Sequence, residues 1–179
     1  SGVTLHGGLP VPVTTPARTV ADLARTRGVE DGLVAADAAA YAGLLDREAL
    51  GAVLTDCRDF PAIGRAVQVL ESLDPLAESP LESLSRWRLQ GQGLELETQV
   101  VITDARGEFV ARVDFLLDGR VIGEADGRGK YTDPADLWAE KRREDWLREL
   151  GFRVIRWGWA DLRRPDRLRQ RQEAALRAA

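Results

Sequence analysis

Three carboxylates lie close together in the segment between residues 112 and 130. It has the pattern of two short strands around an Asp118-Gly119 turn, with Asp114 on the first strand and Glu124 and Asp126 on the second. Carboxylates on strands that are otherwise apolar destabilise a fold unless their charge is compensated. A divalent cation would compensate it, and a cation held by Asp and Glu beside a basic residue is typical of phosphodiester chemistry.

The hairpin register decides whether these carboxylates share a face. Side chains alternate along a strand, so Glu124 and Asp126 stand about 6.5–7 Å apart on one face. A two-residue loop would put Asp114 on the other face, and that would exclude a metal site. A three-residue loop with Gly119 in the left-handed conformation pairs Leu116 with Arg120 and places Asp114 across from Ile122, next to Glu124. We predict this odd-length loop or an equivalent bulge, with a buried face formed by Phe109, Ala111, Val113, Phe115 and Leu117.

With that register, Asp114 and Glu124 are the expected ligands of Mg²⁺ or Mn²⁺. Hard oxygen ligands suit both ions, and a backbone carbonyl such as that of Ala125 would complete the protein's contribution. A nearby lysine would orient the attacking water or neutralise charge on the phosphate. The alternative is an ionic network without a metal, in which the two carboxylates pair with Arg112, Arg120 or Lys141.

The elements ahead of this hairpin are predicted to be helical. Thr15 and Pro16 begin a first helix that ends at Gly28. Further helices are predicted over about 30–42, from Asp46 to about 55, and from Pro61 onward. Nothing in these helices indicates catalysis, so we interpret them as a packing or interaction module and a candidate site for a protein partner. Two prolines mark a boundary within residues 73–80.

The second half is predicted to be mixed α/β. Ser79, Pro80 and Glu82 begin its first helix as a capping box, although Glu82 is also a candidate site residue. Strands are predicted over 96–103, 109–117 and 121–126, a helix from Asp133 to about 150, a strand over 152–157 and a helix over 165–178. Helices would cover the sheet.

Composition limits the remaining function classes. The chain has 179 residues, a formal net charge of −4 and one cysteine, Cys57, so neither an overall basic surface nor a disulfide framework is expected. No apolar run is long enough to span a bilayer, and a reducing cytoplasm is the simplest setting. Residues 141–171 hold eleven basic and five acidic side chains, which favours either paired helix faces or a phosphate-facing patch. Since the chain contains no Met, a preceding N-terminal module is expected.

Several motifs of the second half resemble the PD-(D/E)XK endonuclease superfamily, in particular its branch related to the very short patch repair endonuclease. They are Val113-Asp114-Phe115, Gly123-Glu124-Ala125-Asp126-Gly127, the Glu140-to-Asp145 run and Gly151-to-Trp157. The segment over 13–25 resembles AbiEi-type antitoxin-like proteins, which commonly carry a winged helix-turn-helix ahead of it. The resemblance implies a helical, AbiEi-like module over residues 1–75 and a restriction-endonuclease-like three-layer α/β domain over residues 76–179.

The resemblance also implies roles for individual residues. Asp114 and Glu124 match the acidic positions of the motif, and Glu82 matches its helix-borne acid. Asp126 occupies the place of the superfamily's lysine, for which Lys130 or Lys141 would substitute. The expected candidates for holding the DNA backbone are Lys141, Arg142, Arg153 and Arg156.

Two functions follow as expectations. The first is metal-dependent hydrolysis of DNA phosphodiester bonds, in a defence or toxin–antitoxin context. The second is a catalytically inactive nuclease fold that acts as an antitoxin, a transcriptional regulator or a nucleic-acid-binding protein. Divalent-metal dependence separates the two.

Overall fold

The chain forms two compact units of similar size. A computed structural model describes residues 2–4, 10–90, 94–127 and 134–179. The first unit comprises Ser1–Leu84 and the second Ser85–Ala179. The division falls inside the helix Pro80–Leu89, further along the chain than the predicted limit after residue 75.

Helices make up most of the first unit. They are α1 (Pro16–Arg27), α2 (Val29–Tyr41), α3 (Arg47–Asp56) and α4 (Ile63–Ser72), preceded by an antiparallel pair, β1 (Gly2–Thr4) and β2 (Pro10–Pro12), which the sequence did not predict. The predicted helix starts are confirmed at Thr15, which accepts a hydrogen bond from the Arg18 amide at 3.2 Å, and at Asp46, which accepts one from the Ala49 amide at 2.7 Å. The fourth helix begins two residues later than Pro61, after Ala62 with a φ of 60°.

The helices of this unit pack through small side chains. Ala21, Ala24, Leu33 and Ala36 are fully buried. Gly32 is needed at the contact of α1 with α2, because a Cβ there would lie 2.6 Å from that of Ala24. This unit carries no arrangement that indicates catalysis among its described residues.

The second unit is mixed α/β, as predicted. Its elements are the end of α5 (Pro80–Leu89), β3 (Leu96–Thr103), β4 (Phe109–Leu117), β5 (Val121–Ala125), α6 (Pro134–Glu149), β6 (Arg153–Trp157), α7 (Trp159–Leu162) and α8 (Pro165–Ala178). The sheet order is β3-β4-β5-β6. The first three strands form an antiparallel meander, and β6 returns parallel to β5 after α6. The four-residue helix α7 was not predicted.

The expected buried face of β4 is confirmed for Ala111, Val113, Phe115 and Leu117 and is wrong for Phe109. Phe109 is 65% exposed and Val110 is buried, because the register with β3 shifts at Ile102 and Thr103 and adds one residue to β4. Nearer the hairpin both faces are buried. Leu116 and Ile122, on the face predicted to be open, pack with Leu147 of α6.

Helices therefore cover both faces of the sheet near β5. Leu147 of α6 lies on the face that holds Ile122. On the other face Trp157 is buried, stacks on Phe115 with 5.5 Å between ring centroids, and donates its indole N–H to the Ser85 hydroxyl of α5 at 2.7 Å. These layers fix the positions of the strand ends from which the site is built. None of the described helices combines the length and apolar character needed to cross a bilayer.

Candidate active site

The hairpin between β4 and β5 has the predicted odd length. Leu117 pairs with Val121 and Leu116 with Ile122, which leaves a three-residue loop over 118–120. Gly119 is left-handed as expected, with a φ of 65°, and Asp118 is left-handed too, with a φ of 46°. The loop lies one residue further along the chain than predicted, so each residue of β4 pairs two residues further along β5. Continued by one step, this pairing places Asp114 directly across from Glu124, rather than from Ile122.

Asp114 and Glu124 therefore lie on the same face of the sheet. The Asp114 carboxylate also accepts a hydrogen bond at 2.8 Å from the backbone amide of Ala125, which holds it against the end of β5. Asp126 follows immediately, and its own amide donates to the Trp157 carbonyl at 2.8 Å. A concavity of about 130 Å³ opens here, lined by Arg112, Asp114, Glu124, Ala125, Asp126, Arg143 and Arg156.

Two arginines hold Glu124. Its Oε1 accepts a hydrogen bond from Nη2 of Arg143 at 2.8 Å, and its Oε2 accepts one from Nε of Arg156 at 2.8 Å. The Glu124 side chain is only 12% exposed. The ionic network expected as the alternative to a metal thus exists around this residue, but with different partners from Arg112, Arg120 or Lys141.

Arg156 links this network to helix α6. Its Nη1 also donates to Oε2 of Glu144 at 2.5 Å, and Arg148 bonds the other Glu144 oxygen. Burial works against the charge of Arg156, but the hydrogen bond to Glu144 and the charge of Glu124 outweigh it. The pKa of Arg156 is therefore raised above its ordinary value, and the guanidinium stays charged.

The donor set suits a hard divalent cation. Mg²⁺ is commonly bound through one or two carboxylates, with waters or substrate phosphate filling its other positions. Asp114, Glu124 and the Ala125 carbonyl would be the groups to hold it, and Glu124 would have to exchange a guanidinium partner for the ion. Within the described residues, no group of three or more His, Cys, Asp or Glu side chains is arranged to bind a metal.

Glu82 has a structural role at the start of α5. Its Oε1 accepts from the Ser79 hydroxyl at 2.6 Å, its Oε2 accepts from the Glu78 amide at 3.0 Å, and its own amide donates to Ser79 at 3.2 Å. These bonds form the capping box that the sequence predicted. They do not test a second role for Glu82 in the site.

The expected backbone-binding residues have different surroundings. Nζ of Lys141 lies 5.7 Å from the ring centroid of Trp138, and Arg142 is exposed. Arg153 donates to the Ala178 carbonyl at 2.6 Å. Of the four residues predicted to hold the DNA backbone, only Arg156 lines the concavity. The candidate Lys130 lies outside the described residues.

Sequence reasoning missed one residue of this site, Arg143, and one neighbour of the site on β3, Gln99. Arg143 was one of many basic residues, and only the packing of α6 shows that it reaches Glu124. Gln99 occupies the position of β3 across from Asp114 and has a φ of 52°, rare for a residue other than glycine. Backbone strain of this kind is concentrated at functional sites. A glutamine within a strand pattern gives no sequence signal of this left-handed conformation.

Comparison with known proteins gives relatives but no function. Two uncharacterized proteins of Mycobacterium tuberculosis, from strains CDC 1551 / Oshkosh and ATCC 25618 / H37Rv, are each 32% identical over 161 residues, which is 88% of this chain. The match covers 59% of the length of each relative. No protein-family model matches the chain, and no solved structure matches it significantly.

Proposed function

We propose that the second unit is a metal-dependent hydrolase of DNA phosphodiester bonds, with its active site in the concavity around Asp114 and Glu124. The observation that carries the proposal is the hairpin register, because it aligns Asp114 with Glu124 on one sheet face. The resemblance of these motifs to PD-(D/E)XK endonucleases supports the same chemistry. A defence or toxin–antitoxin context is part of the proposal.

In this mechanism the chain's own residues bind and orient the phosphate. Arg112, Arg143 and Arg156 line the concavity and supply positive charge for the phosphate oxygens. Asp114 and Glu124 would hold the cation, which would supply Lewis-acid activation of the attacking water and stabilisation of negative charge on the phosphate. Asp126 stands in the place of the superfamily's lysine, and a carboxyl group cannot supply a lysine's positive charge, so Lys130 or Lys141 is proposed for that role.

A second candidate is a nucleic-acid-binding protein without catalysis. It is favoured by the contacts of Glu124, whose two oxygens are both bonded to arginines, so that its charge is compensated without a metal. In this case the concavity binds a phosphate of the nucleic acid through the same arginines, and Asp114 fixes the Ala125 amide without binding a metal.

Cleavage of supercoiled plasmid and labelled oligonucleotides, with Mg²⁺ or Mn²⁺ and with EDTA, tests the hydrolase. We expect metal-dependent nicking that falls about 100-fold or more in Asp114→Asn, since this change weakens both the metal site and the positioning of the phosphate. Asp145→Asn is the matched control, because Asp145 is an exposed carboxylate of the same unit. Nicking of equal rate in Asp114→Asn would reject this site.

Thermal unfolding with Mn²⁺ separates the two candidates. A bound ion raises stability by about 2.7 kcal/mol at a concentration 100 times its Kd. We expect this shift in the wild type and its loss in Asp114→Asn. If the wild type binds DNA but shows neither a Mn²⁺ shift nor nicking, the non-catalytic function is the correct one.

A further inference from the structure

A second, larger cavity adjoins the candidate active site. It has a volume of about 470 Å³ and is lined by residues from the end of β5, the end of β6 and helix α7. Asp126 and Arg156 line both cavities, so the larger cavity and the concavity are next to each other. Trp159, 44% exposed, and Arg163, also exposed, line the larger cavity too.

The turn that carries Trp159 is fixed against the end of β5. Its Gly158 packs so closely on Asp126 that a Cβ would lie 3.0 Å from the Asp126 carbonyl oxygen. The Gly158 amide donates to the Asp161 carboxylate at 3.0 Å, and that carboxylate accepts from Arg171 at 3.1 Å. Leu162 is buried and anchors the other end of α7. Because these contacts already fix the turn, it would lose little conformational freedom when a ligand binds to the exposed Trp159 ring.

We infer that Trp159 is a stacking platform for an unpaired nucleobase whose phosphate occupies the neighbouring concavity. The inference deepens the proposed function and rests on it, because it names single-stranded or locally unpaired DNA as the substrate. Stacking on an aromatic ring beside a cationic groove is the common mode of single-strand binding. Arg156 and Arg163 supply the cationic groups at this cavity.

The position of Trp159 favours a base over a protein partner. Arg156 lines both this cavity and the concavity of Asp114 and Glu124, and a nucleotide likewise joins a planar ring to a charged phosphate. Two other exposed tryptophans, Trp138 and Trp146, lie on α6 and line neither cavity. Of these three exposed rings, only Trp159 is placed for a nucleotide bound at the site.

Fluorescence anisotropy in EDTA tests the platform without catalysis. The probes are a labelled oligothymidylate, a sugar–phosphate strand of the same length without bases, and a duplex. We expect the wild type to prefer the oligothymidylate, and Trp159→Ala to bind it about 5- to 150-fold more weakly. The base-free strand should bind equally to both proteins, because the indole and the base act as a pair. Trp159→Phe keeps a ring and should recover part of the affinity, and Trp146→Ala is the control.

Several outcomes would overturn the platform. They are equal binding of oligothymidylate by wild type and Trp159→Ala, an equal loss for the base-bearing and base-free strands, and an absence of single-strand binding by the wild type. The proposed hydrolase fails in a different way. If the wild type cleaves nothing but still shows base-dependent binding through Trp159, the hydrolase is rejected and the platform stands.

Discussion

At the scale of single residues, Glu124 determines the electrostatics of the site. It is nearly buried between Arg143 and Arg156, and Glu144 holds the second of these from the other side. A carboxylate placed between two guanidinium groups does more than compensate charge, because it keeps both cations at the concavity. A cation that enters the concavity must therefore compete with the two arginines for Glu124, and a phosphate must compete with Glu124 for the arginines.

Removal of the Glu124 charge should therefore destabilise the second unit. Glu124→Gln leaves two guanidinium groups close together with one carboxylate fewer, and we expect a loss of about 1–3 kcal/mol in the free energy of unfolding. The double variant Glu124→Gln, Arg143→Gln should lose less than the sum of the two single changes, since it removes the repulsion as well. Urea unfolding measures both. Glu173→Gln, which removes a carboxylate from an exposed pair with Arg169, is the control. If the double variant loses as much stability as the two single variants together, Glu124 and Arg143 are not coupled.

At the scale of elements, strand β5 depends on one close contact with β6. Gly123 lies beneath the Trp157 ring, where an added Cβ would be 2.3 Å from Cη2 and 2.7 Å from Cζ3. The Trp157 ring lies on the face of the sheet opposite to Asp114 and Glu124. The indole also stacks on Phe115 and donates to Ser85, so a shift of the ring would disturb these contacts.

Gly123→Ala should consequently disturb both stability and the site. We expect a loss of at least about 1–3 kcal/mol from overpacking, together with reduced nicking, because Glu124 is the next residue of the strand. Thermal unfolding and the plasmid assay measure the two effects. Gly64→Ala is the matched control, since a Cβ at that helical position meets nothing within 4 Å. A Gly123→Ala protein as stable as the wild type would show that the ring can move.

The elements that sequence patterns predicted well are those with local causes. Thr15, Asp46 and the Ser79–Glu82 capping box act within one turn of helix, so their residues alone indicate the helix starts. The odd length of the hairpin loop was predicted because it brings Asp114 and Glu124 to one sheet face, and Gly119 is left-handed as expected in such a loop. Burial of Leu116 and the reach of Arg143 depend on where α6 packs, and the four residues of α7 are too few for a periodic pattern.

At the scale of the whole molecule, charge is distributed unevenly. The chain carries a formal charge of −4, and much of its basic C-terminal region is ion-paired internally, including Arg148, Arg156, Arg169 and Arg171. This supports paired helix faces for a large part of that region. Under the proposed function, affinity for nucleic acid would then come from a few arginines at the two cavities and not from an overall attraction.

Salt dependence measures how local that attraction is. If Arg112, Arg143, Arg156 and Arg163 make the phosphate contacts, the logarithm of the oligothymidylate affinity should fall with the logarithm of salt concentration with a slope of about −2 to −3, since each single-strand contact contributes about −0.7. Arg163→Gln should make the slope shallower by about 0.7, because it removes one contact while leaving the Glu124 network intact. Arg106→Gln, at the exposed turn between β3 and β4, should leave the slope unchanged. A much steeper wild-type slope would mean that a wider basic surface binds the strand than these four residues provide.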